Sequence, residues 1–127
     1  MKDSDGAIVR VSAAAARAGR ANHEAVAAAK AGVIGLVLSV AATNASRNIR
    51  VNGLAPGLVH TPLTAALTSN EAALRASTAL HALGRIGEPA DVASALAWLL
   101  DPRQGWITGQ ILGVDGGLAD FRSQATS

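Results

Sequence analysis

The sequence predicts an α/β fold in which three parallel strands form one sheet with helices packed against it. Two observations point there. Three short runs of β-branched and aliphatic residues, at 7–11, 48–55 and 110–114, each close on turn-forming residues. Between them lie two apolar segments at helical spacing, 22–45 and 89–100. Connections this long are not hairpins, so the strands run parallel and right-handed crossovers are expected. Residues 1–119 then make a single α/β domain, with 120–127 as a tail.

The first strand, Ala7-Ile8-Val9-Arg10-Val11, follows the turn-like Asp5-Gly6. The segment 12–21 is loop-like and rich in small residues, with Gly19 as punctuation. Asn22 suits a helix N-cap, and Glu24 sits where the helix dipole favours an acid. In the helix that follows, Val26, Lys30, Val33, Val37 and Ala41 share one face. Ile34, Leu36, Leu38 and Val40 cover much of the rest. A helix apolar nearly all round needs burial on more than one side. One side is expected on the sheet and the other against a second subunit.

The second strand closes at Pro56-Gly57. Residues 58–82 have the length of a flap or lid, with one short helix expected from near Asn70. Pro89 opens the next helix, with Glu88 and Asp91 at its positive end and Val92, Leu96 and Leu99 as its buried stripe. Asp101-Pro102 ends it. The third strand leads into Asp115-Gly116-Gly117.

Composition excludes several functions. Half of the 127 residues are hydrophobic but only 2% are aromatic, so the core is built from Ala, Val, Leu and Ile. Charged residues, at 16%, are too sparse to cover a small domain's surface, which again suggests a partner. The net charge is +2, yet the arginines are scattered and form no stripe with aromatics, so no nucleic-acid partner is expected. Without cysteine there is no disulfide or thiolate chemistry, and a reducing, cytoplasmic setting fits. The start of the chain is polar and does not resemble a signal peptide. The strongly apolar part of 31–47 ends at Ala42, too short for a membrane span. No acidic or histidine cluster has metal-ligand spacing, so no metal is expected. Asp3-Ser4-Asp5-Gly6 lacks the later ligands of a calcium loop and reads as a turn.

Several motifs in order carry a resemblance. They are Lys30-Ala31-Gly32 in the long helix, Ile49-Arg50-Val51-Asn52 leading to Ala55-Pro56-Gly57, and Thr61-Pro62. Gly84-Arg85-Ile86-Gly87-Glu88-Pro89 and Ile107-Thr108-Gly109-Gln110 through Val114-Asp115-Gly116-Gly117 complete the set. Together, over residues 6–118, the chain resembles the short-chain dehydrogenase/reductase family. The resemblance implies the C-terminal half of a Rossmann-like doubly wound parallel sheet, with the dinucleotide at the carboxyl ends of the strands. The family's glycine-rich pyrophosphate turn has no counterpart here, since Gly32-Val33-Ile34-Gly35 lies within a helix.

The resemblance also assigns roles. The family's proton-donating tyrosine stands one turn before its lysine, which lowers the phenol's pKa and holds the cofactor ribose. Here the lysine is Lys30 and the tyrosine position is Val26; the chain has no tyrosine at all. The family's serine falls on Ala13, with Ser12 beside it as a replacement. Lys30 and Ser12 are thus the candidate catalytic residues, and Lys30, Pro56, Gly57, Val59 and Thr61 the candidate contacts for NAD or NADP. His23, His60 and His81 read as ordinary polar positions.

Three functions follow. The first is a short-chain dehydrogenase-like protein that is non-catalytic alone, a truncated relic or an interaction subunit. The second is an NAD(P)-dependent oxidoreductase acting on an alcohol/carbonyl pair, completed by another chain with the cofactor-binding half. The third uses Lys30 as an amine nucleophile. Helices 22–45 and 89–100 are the expected surfaces for a homo-oligomer or partner subunit.

Overall fold

A computed structural model describes residues 5–12 and 24–119, without the side chains of 25–27 and 67. The expectations for Ala13, Gly19, Asn22, His23 and the tail 120–127 lie outside the described residues, as does the side chain of Val26.

The strands are β1 (Gly6–Val11), β2 (Ile49–Pro56) and β3 (Ile111–Val114), parallel in the order β1-β2-β3. The helices are α1 (Glu24–Asn44), α2 (Ala65–Thr68), α3 (Glu71–Leu80) and α4 (Pro89–Leu100). The central strand is buried on both faces along nearly its whole length, and the polar Arg50 and Asn52 within it are buried too.

The pleat of β2 explains the layering. Val51 packs with Val37 and Ala41 of α1, and a β-carbon at Gly53 would lie 3.5 Å from the Val37 side chain. On the opposite pleat, Arg50 reaches the end of α4, donating to the Leu99 carbonyl at 3.0 Å. Helices therefore cover both faces of the sheet. The strand order steps in one direction while α1 and α4 lie on opposite faces. The two crossovers consequently have opposite hands, and the right-handed rule expected for both holds for only one.

Helix ends are set locally. A single turn of 3-10 helix, Ala45–Arg47, follows α1, and Asn48 ends it at φ 56°, a left-handed conformation that asparagine tolerates. The Asn48 amide also donates to Asp5 at 3.1 Å, tying the entry of β2 to that of β1. The segment expected to hold one helix holds two, because Asn70 splits it. Its side chain caps α3 by accepting from the Ala73 N–H at 3.0 Å. In α4, Pro89 is in the first turn and Leu99 is buried.

Buried polar groups fasten β3. Asn52 donates to the Ile107 carbonyl at 3.1 Å and accepts from the Gln110 N–H at 3.0 Å. The exposed Thr108 adds to them, accepting from the Val51 N–H at 3.0 Å. Arg50 serves three carbonyls, of Leu99, Asp101 and Ile107, the first of them an acceptor that the end of α4 leaves unpaired. The Ile-Arg-Val-Asn and Ile-Thr-Gly-Gln motifs are thus two halves of one seam.

The outer face of α1 is uncovered among the described residues, with Leu36 and Leu38 about half exposed. Residues Ala28–Arg47 do meet the length and hydropathy of a membrane-crossing helix, contrary to the expectation that the stretch is too short. In the fold its inner face lies on β2, and only the outer face lacks cover.

Candidate functional site

The carboxyl ends of the strands gather the residues that the sequence singled out. β1 stops at Val11, opposite Leu54, while β2 runs on to Pro56, opposite Val114. Ser12, just past β1, is buried. Its N–H donates to the Leu54 carbonyl at 2.6 Å and its Oγ to the Lys30 carbonyl at 2.8 Å. Ser12 and Lys30 are therefore neighbours, but through the lysine's backbone: the hydroxyl proton pins α1 to the end of β1. The partly buried Lys30 has no ion pair or side-chain hydrogen bond among the described residues.

Beyond β2, the Pro56-Gly57-Leu58 turn is held by a side chain at the end of α3. His81, expected to be an ordinary polar position, is 4% exposed. Its Nδ1 lies 2.7 Å from the Ser77 carbonyl, and its Nε2 accepts from the Leu58 N–H at 3.1 Å. This pattern is that of the neutral Nδ1–H tautomer. A histidine just after a helix, three residues before a glycine, carries no sequence signal that it will turn inward.

Gly57 is required here. A β-carbon would come within 2.7 Å of His81 Nε2 and 3.1 Å of the Asp115 Cα. Gly116 and Gly117 adopt φ of 57° and 88°, so the turn after β3 needs glycine too. Asp115 accepts from the N–H groups of Gly117 and Ala119, at 3.0 and 3.2 Å, and fixes that turn. These segments border a cleft of about 340 Å³ lined by Gly57, Leu58, His81, Arg85 and Asp115, among others. Of the five candidate cofactor contacts, only Gly57 lines it.

Val59 and Thr61 lie further along. Val59 bridges in parallel to Gly87. Its carbonyl accepts from Thr64 Oγ1 at 2.6 Å, while its N–H has no hydrogen-bond partner among the described residues. The Thr61 and Thr64 hydroxyls lie 3.1 Å apart, and each accepts from the other residue's N–H. Thr61 thereby shapes the turn into α2. The lid returns at Arg85, which pairs with both oxygens of Asp91, at 2.8 and 3.1 Å. That pairing, with the Glu88 N–H at 2.7 Å, holds the Asp91 carboxyl well below its ordinary value, at about 2. His60 is half-exposed and 4.0 Å from Glu88. No group of three or more metal-ligating side chains occurs among the described residues.

A parallel sheet with helices on both faces places the chain among the doubly wound α/β folds. The family description for enoyl-(acyl carrier protein) reductases matches residues 1–119. The chain belongs to the short-chain dehydrogenase/reductase family. It is 49% identical over 118 residues to carbonyl reductase family member 4 of Danio rerio, covering 93% of this chain and 47% of that protein. A short-chain type dehydrogenase/reductase from Mycobacterium ulcerans superposes with a TM-score of 0.88 at 32% identity, over 94% of this chain and 44% of that one. A 2-deoxy-d-gluconate 3-dehydrogenase from Agrobacterium tumefaciens, solved with bound NADP and assigned to that activity provisionally, gives 0.84 at 33% identity, over 90% and 46%. The chain thus spans about half the length of the relatives it matches.

Proposed function

We propose that this chain is a short-chain dehydrogenase/reductase-type polypeptide that keeps the nicotinamide-side loop and the lysine but does not reduce a carbonyl unaided. One observation carries the reading: Val26 stands one helical turn before Lys30, where the family places its proton donor. Valine has no proton to transfer, and a positioned general acid contributes about 10²–10⁴-fold. NAD or NADP, when bound, supplies or accepts a hydride; the proton must come from the protein or from water. The loop fits such a cofactor, since the Val59 N–H is unpaired among the described residues and faces no competing bond. Lys30, with no partner for its ammonium among the described residues, is the residue to hold a ribose hydroxyl.

The test separates binding from chemistry. NADPH fluorescence titration reads the loop and Lys30, while NADPH oxidation with a 3-oxoacyl thioester or simple ketone reads the proton donor. The expected result is turnover at background in the natural chain and a gain of about 10²-fold or more in Val26→Tyr. Turnover in the natural chain that Val26→Phe leaves intact overturns the proposal.

A second reading is an NAD(P)-dependent oxidoreductase completed by another polypeptide. It is favoured by the free outer edge of β1, which pairs only with β2 among the described residues. Its test is whether a chain carrying a glycine-rich dinucleotide turn co-purifies and raises the affinity for NADPH. On either reading, self-association through 22–45 and 89–100 in a reducing, cytoplasmic setting is part of the proposal, resting on the uncovered apolar faces and the lack of cysteine.

A further inference from the structure

We propose that His81 is a positioning residue for the Gly57-Leu58 turn, and that it works as a proton-sensitive latch between the lid and the end of β2. The inference rests on the reading of 56–61 as the cofactor-side loop. Three observations carry it. His81 is the C-cap residue of α3, and its side chain is folded inward to 4% exposure. Both ring nitrogens are engaged, Nδ1 as donor to the Ser77 carbonyl and Nε2 as acceptor from the Leu58 N–H. Gly57 leaves only 2.7 Å between its missing β-carbon and His81 Nε2, so ring and turn are fitted to each other.

The logic of the latch lies in Nε2. A neutral imidazole has one lone pair there, and the Leu58 N–H uses it. Protonation turns that acceptor into a donor facing another donor. The bond is lost, and the Leu58 N–H is left without its partner. The Nδ1 bond survives, since Nδ1 donates in both states. The imidazole therefore stays on α3 while the turn is released.

Charged residues from two other elements line the same cleft as the ring. Asp115, on the turn after β3, lines the same cleft, and Gly116 lies against the His81 β-carbon. Its carboxylate is already bonded to two backbone N–H groups. Arg85 and Asp91, from the end of the lid and the start of α4, also line the cleft and neutralise one another. The Gly57-Leu58 turn contributes no charged side chain.

The experiment uses the full chain and does not depend on cofactor binding. Long-range proton–nitrogen NMR spectra give the His81 tautomer and its titration, and amide exchange gives the protection of Leu58. The expected result is an Nδ1–H tautomer at neutral pH. As His81 protonates, the Leu58 protection factor is expected to fall about fivefold, the worth of one neutral hydrogen bond. His81→Gln offers an acceptor that does not titrate, so Leu58 should stay protected across the same range. His81→Leu should lose the protection at every pH; if that variant does not fold, the glutamine comparison decides alone. The latch is overturned by a Leu58 amide that ignores the His81 titration, or by a glutamine variant with the same pH response. It is overturned equally by loss of protection at Val51 in step with Leu58, which would mean global unfolding. NADPH affinity, measured separately, tests the cofactor-loop reading, which can fail while the latch stands.

Discussion

At Gly57 the backbone runs so close to the turn after β3 that a side chain has no place. A β-carbon would meet the imidazole of His81 at 2.7 Å and the Cα of Asp115 at 3.1 Å, and the second contact is with backbone that cannot swing aside. Gly57→Ala is therefore expected to destabilise the fold by about 1–3 kcal/mol, the usual cost of forcing atoms into a packed site. A urea midpoint unchanged from the natural chain would show that the turn yields freely. Asn52 poses the opposite problem, a buried polar group that is wanted. In Asn52→Ala the Ile107 carbonyl keeps its bond from Arg50, but the Gln110 N–H at the entry of β3 loses its acceptor. The expected cost is about 1–3 kcal/mol, with amide exchange of Gln110 accelerated ahead of β1. Equal acceleration throughout the sheet would argue against a local seam. The sequence marks both residues as belonging to motifs. It does not say that one is glycine for lack of space and the other asparagine for its two-way amide, because those needs arise from segments 58 residues apart along the chain.

At the scale of the element, α4 shows what periodicity and capping chemistry make legible. Pro89, the acids of the first turn and the stripe Val92, Leu96 and Leu99 place the helix correctly from the sequence. The partner of Asp91 is less visible, since Arg85 reaches it only once the loop between them has turned. Arg85 donates to both carboxylate oxygens, and this pairing is the largest cause holding Asp91 at about 2 instead of 3.8, followed by the Glu88 N–H. The folded state thus binds that proton less readily than the unfolded chain. Its stabilisation is complete above 3.8 and is lost as the pH falls from there through about 2. Asp101, lowered by Arg103, acts in the same direction. Unfolding midpoints measured across that window should fall with pH, and Asp91→Asn should flatten part of the slope. The pair is exposed, so added salt should shrink the effect; a slope identical in Asp91→Asn would assign it elsewhere. The sequence of the lid predicts one helix where the fold has two, because α2 is only a four-residue turn with no periodicity to show. The crossover rule failed once, because it describes single strand–helix–strand units, whereas residues 57–110 carry a lid as well as α4.

For the whole molecule, the decisive fact is that apolar surface is left over on both sides of the sheet. α1 shows Leu36 and Leu38 about half exposed on one side, and α4 shows Trp98 and Leu100 nearly so on the other. Since the two helices lie on opposite faces of β2, one partner copy cannot cover both. Two-fold contacts at each face would be independent of one another, and two such axes, where they cross at right angles, close into a tetramer, one of the commonest soluble symmetries. The expected result in sedimentation velocity is a species larger than a dimer. Leu36→Lys with Leu38→Lys should reduce it to a smaller species held through α4 alone, and Trp98→Lys should do the converse. Each exposed leucine that becomes buried is worth about 1–2 kcal/mol, so charging two per copy is enough to open a contact of ordinary size. If the natural chain sediments as a monomer at micromolar concentration, the uncovered faces do not serve copies of this chain. A monomer whose α1 variants alone lose NADPH binding would instead assign the α1 face to a different polypeptide, as the second functional reading requires.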